Sequence, residues 1–190
     1  MLSKSSHTRE DPRVTRTRNL LLKAFFELLP EEGFQSLTVQ RITQHAGVNR
    51  ATFYAHFPDK YALLDVSIQQ MFRHEIEKRM LNACDYTEEN LKALIIAVCE
   101  FVSTVHARCP SIEWQFECLV ETQVKDQLQE LLQNWLRQIE AKTAPELVST
   151  AASWAIYGLA VRWAHDRSAA KLPADRFADR IFPLIAATLR

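Results

Sequence analysis

Glycine is scarce in this chain: only Gly33, Gly47 and Gly158 occur among 190 residues, against a usual share of about 7%. Glycine-rich phosphate loops cannot be written with those three positions, and tight two-residue hairpins have little to be built from, which argues against an all-β fold. Long apolar runs are also missing. The longest central one, Ala93 to Cys99, lies between Lys92 and Glu100, far short of the ~18 residues of a membrane span. The opening Met1 to His7 carries no apolar signal segment, so a cytoplasmic protein with no membrane partner is expected. Cys84, Cys99, Cys109 and Cys118 form no CxxC pair and no histidine stands at finger spacing, so no metal is expected. Reduced core thiols are the first reading, with oxidation sensing, best placed at Cys109 beside Pro110, as the alternative. No Ser/His/Asp or Cys/His grouping and no paired-carboxylate motif emerges, so neither an enzyme nor a cofactor is expected. Net charge is absent as well, with 23 basic against 23 acidic side chains.

What is present is helical periodicity. Residues 1–10 are polar and aperiodic and read as a mobile arm. Asp11-Pro12 caps a first helix that carries Val14, Leu21, Phe25 and Leu28 on one stripe and ends near Glu32, with Gly33 as a left-handed cap. Val39, Ile42 and Ala46 form a short second helix that stops at Gly47. Asn49 caps a third, with Phe53 and Phe57 inward. Pro58-Asp59 opens a long helix to about Asn82. Thr87 caps a helix to about Arg108, Pro110 starts another, Thr122 to Lys142 follows, and Pro145 and Pro173 mark the last two. No window alternates as a strand does. The expectation is an all-α fold of about nine helices: a helix-turn-helix domain over residues 11–58, a connecting helix over 59–82, and a helical domain over 83–190 for ligand binding and dimerisation.

The segment from Leu37 to Phe57 carries the chemistry. Two short helices meet at a turn where Gly47 takes a conformation other residues resist and Val48 plugs the core, which is helix-turn-helix geometry. Helical spacing puts Phe53 and Phe57 inside and Arg50, Thr52, Tyr54 and His56 outside. Arg50 can bond a guanine edge in bidentate fashion, and Thr52 can meet a base or a thymine methyl. Tyr54 and His56 are donors suited to phosphate. Charge divides in the same way. Residues 1–60 hold nine basic against six acidic side chains and the remainder 14 against 17, so the neutral total hides a basic head and an acidic body.

With Ala24-Phe25, Gly33-Phe34, Leu37-Thr38-Val39, Ile42, Ala46-Gly47-Val48, Thr52-Phe53-Tyr54, His56-Phe57, Lys60 and Leu63-Leu64, residues 13–66 resemble the TetR family of bacterial transcriptional regulators. The resemblance implies a homodimer that binds a palindromic double-stranded DNA operator, usually as a repressor, and a C-terminal pocket for a small-molecule effector. It also implies DNA contacts at Thr38, Asn49, Arg50, Thr52, Tyr54, His56 and Lys60, the last on phosphate. Thr43 departs from the alanine usual at that position. Beyond about residue 70 the likeness names no effector, and control by oxidation or by a protein partner stays open.

For the C-terminal half, Phe101, His106, Trp114, Trp135, Trp154 and Tyr157 are the candidate pocket residues, large side chains of which all but Phe101 carry a polar handle, near Glu113. Arg9, Arg13, Arg16 and Arg18 form either an arm near DNA or a solvated basic face. The apolar excess from Ala151 to Trp163 leaves little room for a polar face, so a second subunit is the expected cover, with a helix of the same chain as the alternative. Ala155, Gly158, Leu159, Arg162 and Trp163 are the candidate interface residues, with Trp163 as anchor.

Overall fold

A computed structural model of the chain describes residues 11–79, 85–108, 114–138, 144–168 and 170–189. Residues 1–10, with the expected arm, and Cys84, Cys109, Pro110 and Glu113 lie outside the described residues. Those described form eight helices and no strand: α1 (Pro12–Glu32), α2 (Val39–Ala46), α3 (Arg50–His56), α4 (Lys60–Arg79), α5 (Glu88–Arg108), α6 (Trp114–Gln138), α7 (Pro145–Ala164) and α8 (Ala174–Thr188). They divide into two compact units, one to Leu64 and one from Asp65 on.

In the first unit α1 starts where Asp11 accepts a hydrogen bond from the Arg13 amide at 2.9 Å and Pro12 supplies a fixed φ at the first helical position. None of its first nine residues is buried; Val14, expected on the core stripe, is 39% exposed, and burial begins at Leu21. The helix ends as the Gly33 amide donates to the Leu29 carbonyl at 3.1 Å. Gly33 is not the expected left-handed cap: its φ of 72° is positive, but a ψ of 155° sends the chain out extended. The core of this unit holds Phe25, Leu28, Phe34, Leu37, Ile42, Phe53 and Phe57, all buried. Complete burial of an aromatic or leucine side chain contributes about 1.5–3 kcal/mol, so this small unit depends on each of them.

In the second unit α5 and α6 both pack against α7, and α8 packs on α5 and α7. Thr87 caps α5 as expected, accepting from the Asn90 amide at 3.0 Å. Among the described residues there are eight helices where about nine were expected, because α6 runs unbroken through Thr122. Instead of capping a new helix, the Thr122 hydroxyl donates to the Cys118 carbonyl one turn back at 2.8 Å, and no glycine or proline interrupts residues 114–138. By length and composition α5 is apolar enough to cross a membrane over Glu88–Ala107, yet half of that stretch is buried inside the fold. Leu91, Leu94, Ile95, Val98 and Phe101 give its apolar residues a destination in this core. On α7, Ala152, Ile156 and Ala160 are fully buried, while Leu147 and Trp154 are 70% and 59% exposed.

Candidate nucleic-acid interface

Local hydrogen bonding builds the helix-turn-helix. The Thr38 hydroxyl accepts from the Arg41 amide at 3.2 Å and starts α2. At its other end the Gly47 amide reaches the Gln44 carbonyl at 3.3 Å and the Val48 amide the Thr43 carbonyl at 3.0 Å, a closure that needs Gly47 at φ 68°, ψ 29°. Two residues after Gly47, Asn49 caps α3, its Oδ1 accepting from both the Thr52 amide at 2.7 Å and the Thr52 hydroxyl at 2.9 Å. Thr43 is buried, and its hydroxyl is satisfied by donating to the Gln40 carbonyl at 3.0 Å, so the extra methyl and oxygen fit without breaking the turn.

This frame sorts the expected DNA contacts. Phe53 and Phe57 are buried with ring centroids 5.8 Å apart. Arg50 and Tyr54, one helical turn apart, are exposed on α3, and Thr38 and Asn49 are exposed at the helix starts. Arg50 has no ion-pair partner among the described residues, in contrast to Arg41, held 2.6 Å from Glu32, and His45, 2.8 Å from Glu27. Thr52 and His56 are half-buried. With its proton committed to Asn49, the Thr52 hydroxyl can still accept from a base or present its methyl group.

Two basic residues stand differently from the sequence expectation. Lys60 is half-buried, and its ammonium donates to the carbonyls of Phe34, Gln35 and Leu37 at 2.9, 3.0 and 3.1 Å. Arg18 does not extend as part of an arm: its guanidinium carbon lies 5.8 Å from the centre of the Phe57 ring, and its Nε is buried with no acceptor among the described residues. Arg13 and Arg16 are exposed. Sequence reasoning missed these tertiary partners because carbonyl oxygens and ring faces leave no signature at the lysine or arginine itself.

In the second unit the candidate pocket residues separate. His106 and Tyr157 come together, with Val102, Val105, Glu117 and Val120, around a cavity of about 10 Å³. Burial pushes the Tyr157 hydroxyl's pKa up, helped by Glu121 and Glu117. Burial also lowers the His106 pKa, as does His165, whose ring centroid is 4.2 Å away. Phe101 belongs to the core, edge-on to Phe72 at 5.2 Å, and Trp135 is buried near Tyr86 at 6.0 Å. Trp154 faces outward beneath the Lys125 ammonium, 3.2 Å from its ring centre. Their aromatic character suits core, cavity and exterior alike, so spacing could not separate the three. The Trp114 side chain lies outside what the structure describes.

Among the candidate interface residues, Gly158 and Arg162 are exposed, and Ala155, Leu159 and Trp163 are half-buried. The Trp163 indole donates to the Leu172 carbonyl at 2.8 Å. A groove of about 720 Å³ lined by Leu159, Arg162, Trp163, Phe177 and Leu184 runs beside them. Leu184 of the groove is exposed, as are Leu147 and Trp154 of α7. Of the cysteines, Cys99 is buried, which pushes its thiol up to about 12, and Cys118 is half-buried.

Two short helices set by a left-handed glycine, with exposed Arg50 on the outer side of an aromatic core, define a helix-turn-helix domain. Residues 21–66 match the model of the bacterial regulatory proteins of the tetR family, and over these residues the chain is similar to TetR-family regulators. It is similar to the uncharacterized HTH-type transcriptional regulator YxbF of Bacillus subtilis, 43% identical over 61 residues, which are 32% of this chain and 16% of YxbF. The chain spans less than a third of the curated relatives it matches. Over most of its length its fold is that of the TetR-family regulator SCO0857 of Streptomyces coelicolor, with a TM-score of 0.66, 20% identity and coverage of 95% of this chain and 98% of that one. FadR of Thermus thermophilus, a TetR-family repressor solved with lauroyl-CoA, aligns with a TM-score of 0.57 and 20% identity over 91% of this chain and 95% of its own.

Proposed function

We propose that the chain is a ligand-responsive DNA-binding transcriptional regulator that acts as a homodimeric repressor on a palindromic operator. The observation that carries this reading is α3: exposed Arg50 and Tyr54 stand on an outer face whose inner side is anchored by Phe53 and Phe57. Arg50 reads a base edge, Thr52 assists it, and Thr38, Asn49, Tyr54 and His56 hold the backbone. Paired copies place two reading helices about 34–36 Å apart, in successive major grooves. The exposed run Leu147, Ala151, Trp154, Gly158 and Arg162 on α7, with Leu184 of α8, supplies the self-complementary face.

The effector binds in the helical body around His106, Glu117 and Tyr157. The present cavity has room for about one water, so a larger effector works by opening it. FadR's acyl-CoA is therefore not carried over to this chain. A sensing thiol is the second reading, and Cys99 suits it poorly, because the thiolate is the reactive form and burial disfavours it.

The test is selection of bound fragments from a random DNA pool, followed by binding across a salt series. The expected result is an inverted repeat whose affinity falls steeply with salt. No enriched sequence, or salt-insensitive binding, would sink the proposal. A metabolite screen for release of the selected DNA then tests the effector.

A further inference from the structure

Lys60, the first residue of α4, extends back to the connection between α1 and α2 and donates to three carbonyls of one short stretch, those of Phe34, Gln35 and Leu37. An ammonium has three hydrogens, so this arrangement matches its full donor capacity. Its Nζ also lies 4.7 Å from the centre of the Phe34 ring. The Leu37 carbonyl belongs to the peptide that leads into Thr38, whose hydroxyl starts α2. Fixing that peptide plane fixes where α2 departs and where the exposed Thr38 points. A phosphate approaching Lys60 would have to take a hydrogen away from one of these carbonyls. A guanidinium cannot replace the ammonium here, because its donors lie in one planar fork while the three acceptors converge on a point.

We propose that Lys60 is a positioning residue of the reading head, acting on the operator through the α1–α2 connection and Thr38 rather than by holding a phosphate itself. The proposal rests on the DNA-binding reading above. It predicts a signature opposite to that of a phosphate contact. A lysine on phosphate contributes a released counterion, about 0.9 in the slope of log affinity against log salt, and arginine can substitute for it. A lysine that clamps carbonyls contributes nothing to that slope, and arginine fails in its place.

The experiment compares the full chain with Lys60→Met and Lys60→Arg on the DNA selected by the unaltered protein, across a salt series well below the unfolding temperature. Far-UV circular dichroism verifies the fold of each variant. Hydrogen bonds to a charged donor are strong enough that both variants should bind about tenfold or more weakly, with the salt slope unchanged. Adding Lys60→Met to Thr38→Val should then cost less than about threefold more, because both changes disable the same contact. Wild-type affinity in Lys60→Arg, a slope reduced by about one contact in Lys60→Met, or full additivity with Thr38→Val each overturns the proposal. Should Lys60→Met fail to fold, Lys60→Arg, which keeps charge and stem, carries the comparison alone. If the unaltered chain selects no DNA, the DNA-binding reading itself falls, a failure distinct from rescue by arginine.

Discussion

Gly33 and Gly47 have almost the same φ, 72° and 68°, but ψ angles of 155° and 29°, and that difference should decide which substitutions each tolerates. At Gly47 the backbone is left-handed helical, where a Cβ costs about 1–2 kcal/mol. An added Cβ meets nothing within 4 Å, so no steric term adds to this. The stiffer unfolded chain returns about 0.4–1 kcal/mol, leaving a net loss near 1 kcal/mol for Gly47→Ala. Asparagine visits this conformation readily, so Gly47→Asn should come within about 0.5 kcal/mol of wild type. At Gly33 space is equally open, but positive φ with extended ψ is a region essentially reserved to glycine. Alanine and asparagine should both lose about 1–3 kcal/mol there. For a unit of this size each kcal/mol shifts the midpoint by about 4–8 °C. All four tryptophans lie beyond residue 110. Unfolding of the first unit should therefore appear in far-UV circular dichroism without an accompanying tryptophan signal. If asparagine rescues Gly33 as well as Gly47, or neither position, the assignment of the two conformations is wrong.

Arg50→Ala should lose about 1–3 kcal/mol of operator affinity and relax preference at one base pair; uniform weakening across all sequences would make Arg50 a phosphate contact instead. His106 has a pKa below 6.5, held there first by burial and then by His165. As pH falls through 6.5 the unfolded chain takes up a proton before the folded one does, so stability should decline from that point down through the lower folded value. Thermal midpoints of wild type and His106→Gln between pH 5 and 8 check this, and identical profiles would rule His106 out as the source. Gly158→Ala meets no atom within 4 Å in its own chain and should stabilise α7 by about 0.5–1 kcal/mol. If a second copy packs closely on that face, the same substitution should weaken self-association in sedimentation, whereas unchanged association would place the interface elsewhere.

The reading head was legible because its geometry is written in local chemistry. Thr38, Asn49 and Asp11 are cap residues at cap positions, Gly47 marks a left-handed turn, and the i, i+4 pair Phe53 and Phe57 orients α3 so that Arg50 and Tyr54 must face outward. Thr122 shows where local chemistry stops being decisive. Threonine can cap a helix or bond back to the preceding turn within one, and only the uninterrupted packing of α6 selects the second. Lys60 marks another boundary: position one of α4 was readable, but three backbone carbonyls some 25 residues away in sequence carry no side-chain signal that could pair with it.

The body resists sequence reading for a deeper reason, which α7 makes concrete. A helix with a distinct polar face announces its orientation, but from Ala151 to Val161 almost every side chain of α7 is apolar, so periodicity could not say which stripe is inside. The fold buries Ala152, Ile156, Tyr157 and Ala160 and turns Leu147, Ala151, Trp154 and Gly158 outward. Those outward positions recur at intervals of four, three and four residues, a stripe as regular as the buried one. Lys125, itself only 13% exposed and paired with Glu121 at 2.7 Å, lies over Trp154, so part of the tryptophan is covered by the chain's own cation. Among the described residues, Leu147 and Gly158 lack any comparable shield. The exposed stripe thus has the width and spacing of a helix-packing surface, which is why a second copy is the cover we propose. The same near-symmetry between its two faces made Trp154 look like a pocket residue until the packing of α5 and α6 fixed which side of α7 is the inside.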